Sequence, residues 1–353
     1  MKLLKKANIF LVIFPLLIFL LGIITLFSTE PSLAKNQLIF FAVGIMLYLF
    51  FLLVDYRIWT QFLKSFYIVI MGLMLTTFVF GQKFFGSARW LQFGEFNLQP
   101  SEFAKVVVVL LSAYLVATKP KSESWLNTLK TTALYFIPLI ILVLLQPDLS
   151  TAIVLSLIIL VVFWFSDINK AIFLVLFSAA GLFSTPFWSS LRDYQKERIL
   201  VFLNPTLDVL GSGYNVIQSS IAIGSGGFLG RGFGRGTQSH LQFLPVFWTD
   251  FIFAAFAEEW GFIGVLIILF LYIALLVTLI FMISKIKESF GVLILVGVFT
   301  TIFIQFFVNV GMNLGIMPVT GIPLPLVSYG GSSLITSALL LGLAQSVWIH
   351  EKV

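Results

Sequence analysis

Cysteine is absent from this 353-residue chain, which excludes a disulfide framework, a thiolate nucleophile and a cysteine-ligated metal. Charge is scarce as well: Asp, Glu, Lys and Arg fill 10% of positions, against about 25% in a water-soluble domain. Histidine occurs only at His240 and His350, too far apart and too differently placed to suggest a zinc site. There is no G-x-x-x-x-G-K-[ST] and no strand–helix setting for a dinucleotide fold, so nucleotide binding is not expected. Nucleic acid is not an expected partner either. A tandem repeat, a low-complexity tail and any stretch polar enough for a sizeable soluble domain are also missing.

What is present is apolar. Hydrophobic residues make up 59% of the chain and phenylalanine alone supplies 40 residues, with a mean hydropathy of +1.07. A hydrocarbon layer about 30 Å thick needs roughly 20 apolar residues per helix, and runs of that kind recur from end to end. They predict an all-α integral membrane protein of about ten helices, near 8–28, 38–54, 65–81, 102–118, 131–147, 149–166, 170–189, 250–283, 289–312 and 332–350. The first run is read as a span rather than a cleaved leader because it is longer than a signal peptide requires. No linker divides the chain, so residues 1–353 are expected to form a single polytopic domain.

Lys and Arg are retained on the cytoplasmic side of a membrane. Lys2, Lys5, Lys6, Arg57, Lys64 and Lys119 fall on the side of Met1, whereas much of the opposing charge lies in one long loop. Both termini are therefore expected in the cytoplasm. Ten of the fifteen acids, Asp250 and Glu258 among them, fall in or near the opposite, extracytoplasmic loops. The irregular stretches 82–101, 190–249 and 313–331 lie on that side too, the longest of them between spans seven and eight. Function concentrates on loops held by a rigid scaffold.

Several residues there are suited to chemistry. The run GSGGFLGRGFGRGTQ, ending at Gln238, interleaves glycines with Arg231 and Arg235; backbone N–H groups and guanidinium forks of this kind bind phosphate. It also reads as a connector whose glycines merely allow turns. Thr249 and Asp250 stand at the threshold of an apolar helix, where either could cap free N–H groups. A carboxylate at such a depth could instead accept a proton from a sugar hydroxyl. Glu258 and Glu259 lie deeper in the same helix, where a charge is functional by default or paired with a neighbouring base, and Lys105 is the expected neighbour. Glu102 lies within i,i+3 reach of Lys105. Asp148, in the break Gln146-Pro147-Asp148, is placed to cap the next helix, orient Lys105 or bind a cation. The run from Asn309 to Ser333 is rich in Pro and Gly at membrane depth, which is tolerated only where it lines a cavity; Ser328 and Tyr329 are its candidate polar contacts.

GSARWL, QPSEFAK, QPDLSTAIVL, YQKERILVFLNP with GSGYNVIQS, GTQSHLQFLP, TDFIFAAFAEEWGF and NVGMN with GIPLPLVSYGGSS occur in this order. Together they resemble the SEDS family (shape, elongation, division and sporulation) of bacterial membrane enzymes. GTQSHL and GIPLPLVSYGG are more similar to its elongation branch, RodA-like, than to its division branch, FtsW-like. Two positions depart from the family's pattern: Val246 replaces a Glu after FLP, and Ser150 stands where Gly is frequent.

The resemblance implies a ten-span fold in the bacterial cytoplasmic membrane, with an outward cavity and an essential Asp, here Asp250. It implies a peptidoglycan glycosyltransferase that polymerises lipid II, with Asp250 as general base and undecaprenyl pyrophosphate as leaving group. Arg89, Lys105, Arg198 and Arg231 become candidate pyrophosphate contacts, with Gln238, Ser328 and Tyr329 as further substrate contacts. Glu102, Asp148, Glu258 and Glu259 are expected to support them, Asp148 by pairing with Lys105. A Mg²⁺ or Mn²⁺ ion is implied, although no dedicated metal motif is visible. The expected partners are a class B penicillin-binding protein carrying the transpeptidase, and other membrane proteins of the elongation complex. A lipid II flippase is the main rival and predicts transport without polymer; a non-catalytic scaffold predicts that Asp250→Ala is harmless.

Overall fold

The computed structural model describes residues 6–84, 87–94, 96–119, 125–166, 170, 173, 188–189, 191–204, 208, 211–241 and 243–351. The chain is almost entirely helical: α1 Phe10–Thr29, α2 Pro31–Leu53, α3 Leu63–Phe80, α4 Pro100–Ala117, α5 Trp125–Leu145, α6 Leu149–Trp164, α7 Asp193–Leu203, α8 Ser212–Ser225, α9 Thr237–His240, α10 Ile252–Lys285, α11 Ser289–Asn313 and α12 Gly331–His350. A 3-10 turn over Tyr56–Phe62 leads into α3. Among the described residues eight helices are long and apolar enough to cross a membrane, and α6 is a shorter apolar helix. The expected span at 170–189 lies almost entirely outside the described residues.

Helix starts differ from the sequence expectation in a consistent way. α2 begins at Pro31 rather than 38, and α4 at Pro100 rather than 102. Proline is favoured in the first helical turn, where its missing N–H would be unpaired anyway. The polar Lys35-Asn36-Gln37 run thus lies inside α2, and Gln37 is buried.

Two of the three irregular stretches contain regular secondary structure among the described residues. Residues 82–98 form an antiparallel three-stranded sheet in the order β1 (Gln82–Phe84), β2 (Ser87–Phe93), β3 (Phe96–Leu98). The long loop contains α7, α8 and α9.

Burial sorts the helices. In α4, α11 and α12, 72%, 67% and 83% of the spanning window is buried, against 22% in α2, so the first three form the axis and α2 faces outward. α12 packs along α2, α1 along α10, and α11 between α4 and α6. Without a hydrophobic drive between helices in lipid, close approach through small residues sets such pairs. A Cβ at Gly342 of α12 would lie 2.7 Å from the Tyr48 carbonyl oxygen.

α10 is not one helix. Gly261, at φ 64° and ψ −163°, breaks it, and Ile252–Glu259 on one side of the break is wholly buried. Gly230 packs against the break so closely that a Cβ on Gly261 would meet its backbone nitrogen at 2.2 Å. The peptide groups freed there are paired with the Gly-rich loop: Arg231 N–H donates to Glu258 O and Gly232 N–H to Glu259 O, both at 3.0 Å, and Phe262 N–H donates to Gly227 O at 2.9 Å. Broken helices are tolerated at membrane depth when the freed groups are satisfied in this way.

Candidate active site

Asp250 lies in the connector between α9 and α10, and its backbone is fixed from α11. The Nδ2 groups of Asn309 and Asn313 each donate to the Asp250 carbonyl oxygen at 3.0 Å. These asparagines are four residues apart on one face of α11. Asp250 does not cap α10, whose N-cap is Phe251 with no side-chain cap bond. Its carboxylate accepts a hydrogen bond from Thr249 and lies among Arg198 and Arg89; a Cβ on Gly321 would stand 3.3 Å from Oδ2.

The connector sits below the ends of the flanking helices. Gln37 Nε2 donates to Ser328 O at 3.0 Å, Ser328 Oγ donates to Thr249 O at 2.6 Å, and Tyr329 N–H donates to Trp248 O at 2.8 Å. Val327 packs on Gly22. Gln37 and Gly22 are each about 10 Å along their helices from the ends nearest the site, so Asp250's loop occupies a well sunk between the helices. Two non-glycine residues flanking it take left-handed backbone, Val246 at φ 50° and Leu326 at φ 68°. Such strain persists only where surrounding structure over-determines it and clusters at functional sites.

Burial pushes the Asp250 carboxyl pKa up, and the Thr249 hydrogen bond, Arg198 and Arg89 offset this only in part. Part of its surface nevertheless remains exposed. Burial also lowers the Arg198 pKa, against the attraction of Asp250. Arg198 is carried by α7, which docks through Tyr194 Oη on Pro147 O at 3.1 Å, and its guanidinium lies 5.8 Å from the Tyr194 ring. It donates to Thr320 O at 3.4 Å, an oxygen that also accepts from Ser150 Oγ at 2.6 Å. The serine that departs from the family's pattern thus holds the segment beside Asp250.

A cavity of about 50 Å³ adjoins this segment, lined by Arg89, Gln99, Glu102, Lys105, Asp148 and Gly321 among others. The expected Asp148–Lys105 pair does not form. Lys105 Nζ donates to Glu102 Oε1 at 2.6 Å, one helical turn away, while Asp148 takes Arg89 at 3.8 Å and Gln99 at 3.3 Å. Asp148 also caps α6, accepting from Thr151 N–H and Oγ1. Arg89 reaches over from β2 and donates to Pro147 O. Glu102 Oε2 is buried without a hydrogen-bond partner.

The second pairing expected from sequence also fails. Glu258 meets the Gly-rich loop rather than Lys105: its carboxylate accepts from Thr237 Oγ1 at 3.2 Å, Gln238 N–H at 2.9 Å, and Ser239 N–H and Oγ at 3.3 Å, with Arg231 at 3.9 Å. Glu259 accepts from Ser28 Oγ and, at 3.4 Å, from Gly234 N–H. Arg231 and Gln238 therefore belong to a clamp on the broken helix, and Ser328 is spent on the Thr249 and Leu324 peptide groups. Asn309, Asn313, Gln37 and Gln99 were not singled out from sequence. The two asparagines carried a usable signal, an i,i+4 amide pair in an apolar span.

The chain as a whole is similar to known proteins. A peptidoglycan glycosyltransferase, MrdB, of Escherichia coli K12 is 41% identical over 84% of this chain and 80% of its own length. A chain from a peptidoglycan synthase complex that coordinates polymerization and crosslinking is 34% identical and superposes with a TM-score of 0.81 over 97% of both chains. The rod shape determining protein RodA of Thermus thermophilus is 30% identical, with a TM-score of 0.70 over 97% of this chain and 96% of its own. A family profile described as a cell cycle protein, FtsW/RodA/SpoVE, matches residues 3–353. Matched over nearly its whole length, the chain belongs to the FtsW/RodA/SpoVE family of SEDS membrane proteins and is RodA-like within it.

Proposed function

We propose that this chain polymerises lipid II into glycan strands during cell elongation, with Asp250 as general base. One observation carries the assignment: the carboxylate of a residue that is not fully buried, fixed through its backbone by two asparagines and within the electrostatic reach of Arg198 and Arg89, has no helix-capping duty. Burial raises its proton affinity toward the range in which a base both ionises and accepts a proton effectively. Asp250 takes the proton of the 4-hydroxyl of lipid II's terminal GlcNAc as that oxygen bonds to the anomeric carbon of the lipid-linked glycan. The bond from that carbon to undecaprenyl pyrophosphate breaks, and the diphosphate departs with the electron pair.

Arg198 and Arg89 lie where this leaving charge develops, and Lys105 lines the adjoining cavity. Fixed cations in an enclosed site stabilise such charge without reorganising. Among the described residues no group of three or more His, Cys, Asp or Glu is placed to hold a metal by itself. Mg²⁺, however, commonly binds through one or two carboxylates together with substrate phosphates. Glu102, with its unpartnered Oε2, fits that pattern for Mg²⁺ or Mn²⁺, whereas both oxygens of Asp148 are engaged by Thr151, Gln99 and Arg89. When bound, the ion would neutralise diphosphate charge.

The site end of the bundle is extracytoplasmic and both termini are cytoplasmic, as the lysine and arginine distribution supports. A class B penicillin-binding protein is the partner, supported by the likeness to a synthase complex that also crosslinks.

The test is polymerisation of purified lipid II by the protein with that partner, comparing wild type with Asp250→Asn. Glycan chains from wild type alone are expected. Equal chains from both would remove Asp250 from the mechanism, and none from either would favour transport.

A further inference from the structure

The Gly-rich loop exposes apolar side chains that the catalytic assignment does not use. Phe228, Leu229 and Phe233 are 66%, 76% and 59% exposed, in a segment whose backbone is pinned by hydrogen bonds to α10. Pinning fixes their level. Phe262 N–H donates to Gly227 O and Ile263 N–H to Phe228 O, and the Phe228 ring lies 5.8 Å from that of Phe262.

That level is a boundary in α10 itself. Before Gly261 the helix is wrapped in protein; after it, Phe262, Ile263, Leu266, Ile267 and Phe270 turn outward, the stripe that a spanning helix shows to acyl chains. From Phe262 to Lys285 the helix runs about 36 Å, sufficient for the hydrocarbon layer alone. α1 marks the same level independently. Ser28, next to its last residue, accepts from Gly234 N–H at 2.8 Å and bonds Glu259. The apolar tip of the loop therefore continues the lipid-facing stripe at its rim, and exposed Arg231 and Arg235 stand beside it, where headgroup phosphates begin.

We propose that the Gly-rich loop is a membrane wedge: Phe228, Leu229 and Phe233 lie among the acyl chains of the leaflet at the site end, and Arg231 and Arg235 bind the phosphates of that leaflet's lipids. Arg231 is also held near Glu258, so Arg235 carries the larger share of the headgroup contact. This assignment does not depend on which reaction the site performs.

The cysteine-free sequence allows a direct test. Single cysteines replacing Leu229 or Phe233 are labelled with a nitroxide in the full-length protein in nanodiscs, and collisions with oxygen are compared with those of a water-soluble nickel chelate. Phe270→Cys serves as the acyl-chain reference and Asp193→Cys as the aqueous one. The oxygen-to-nickel ratio at Leu229 and Phe233 is expected within about twofold of that at Phe270. A ratio matching Asp193 would overturn insertion, and so would labels shielded from both reagents, which would mean protein covers the loop. Replacing a third of neutral phosphatidylcholine by phosphatidylglycerol is expected to raise the ratio at Phe233, and Arg235→Gln to abolish that response. No response to phosphatidylglycerol would overturn the headgroup contact. Monodispersity of each labelled variant on gel filtration guards against misfolding.

Discussion

Asp250 and Glu258 lie eight residues apart, and protein encloses both, yet their surroundings are opposite. Glu258 is completely buried and receives four hydrogen bonds from Thr237, Gln238 and Ser239. Asp250 receives one from Thr249 and keeps part of its surface open. A carboxylate whose lone pairs are all engaged acts as a tie, because taking a proton would break what it holds. One left short of donors beside two arginines is available to a substrate hydroxyl.

Asp250→Asn should sharpen that contrast most. It is expected to reduce glycan synthesis by about 10² to 10⁴-fold, the usual contribution of a general base, while raising the melting temperature. The sign follows from linkage. A carboxyl whose folded pKa lies above its unfolded value stabilises the fold most below the unfolded value and loses that contribution as pH rises through the folded one. Above the unfolded value Asp250 is therefore a burden that Asn removes, and a lower melting temperature for Asp250→Asn at neutral pH would break the comparison.

Glu258→Ala should do the reverse. It leaves buried donors of the loop unpaired and is expected to destabilise the protein by about 2–4 kcal/mol, read as a lower melting temperature, with activity falling as the clamp loosens. Normal stability would mean that Glu258 is not a tie.

Arg198→Met tests the electrostatics between these extremes. Arg198 holds the Asp250 pKa below the value that burial alone would set, and a base works only when ionised. The acidic limb of the pH–rate profile is therefore expected to move to higher pH; a shift to lower pH would contradict the assigned polarity. At the opposite end of the bundle, Arg57 meets Glu288 and Asp55 on a half-exposed surface. Arg57→Ala is expected to change stability by no more than about 1 kcal/mol and to leave polymerisation unchanged.

The sequence revealed these regions unequally. The spans could be read because lipid demands long apolar runs, and α1 matches its expectation to within two residues at the start and one at the end. The expected start of α2 at 38 leaves out the polar run Lys35-Asn36-Gln37, whereas Gln37 is buried against Ser328. The sheet at 82–98 is not legible because β1 and β3 have three residues each, too few to show an alternating pattern. Asp250 could be located by resemblance, while its residue pattern alone equally allowed a cap. Pairings between elements are the least legible: the i,i+3 spacing gives the Lys105–Glu102 pair that forms, but the expected partners Asp148 and Glu258 do not meet Lys105, since charge and depth give no account of which loop folds over which helix. The Gly-rich loop and Arg89 on β2 took those carboxylates instead.

The seam between Gly230 and Gly261 also orders events during synthesis. The loop emerges before the helix to which it is sewn, so the hydrogen bonds between residues 227–232 and α10 cannot form until residues 258–263 have left the ribosome. Synthesis of the break in α10 must precede docking of the loop, and until then the wedge and the segment leading to Asp250 lack that anchor. Maturation of the well is thus a late step of biogenesis, set by the position of one glycine about thirty residues downstream of another.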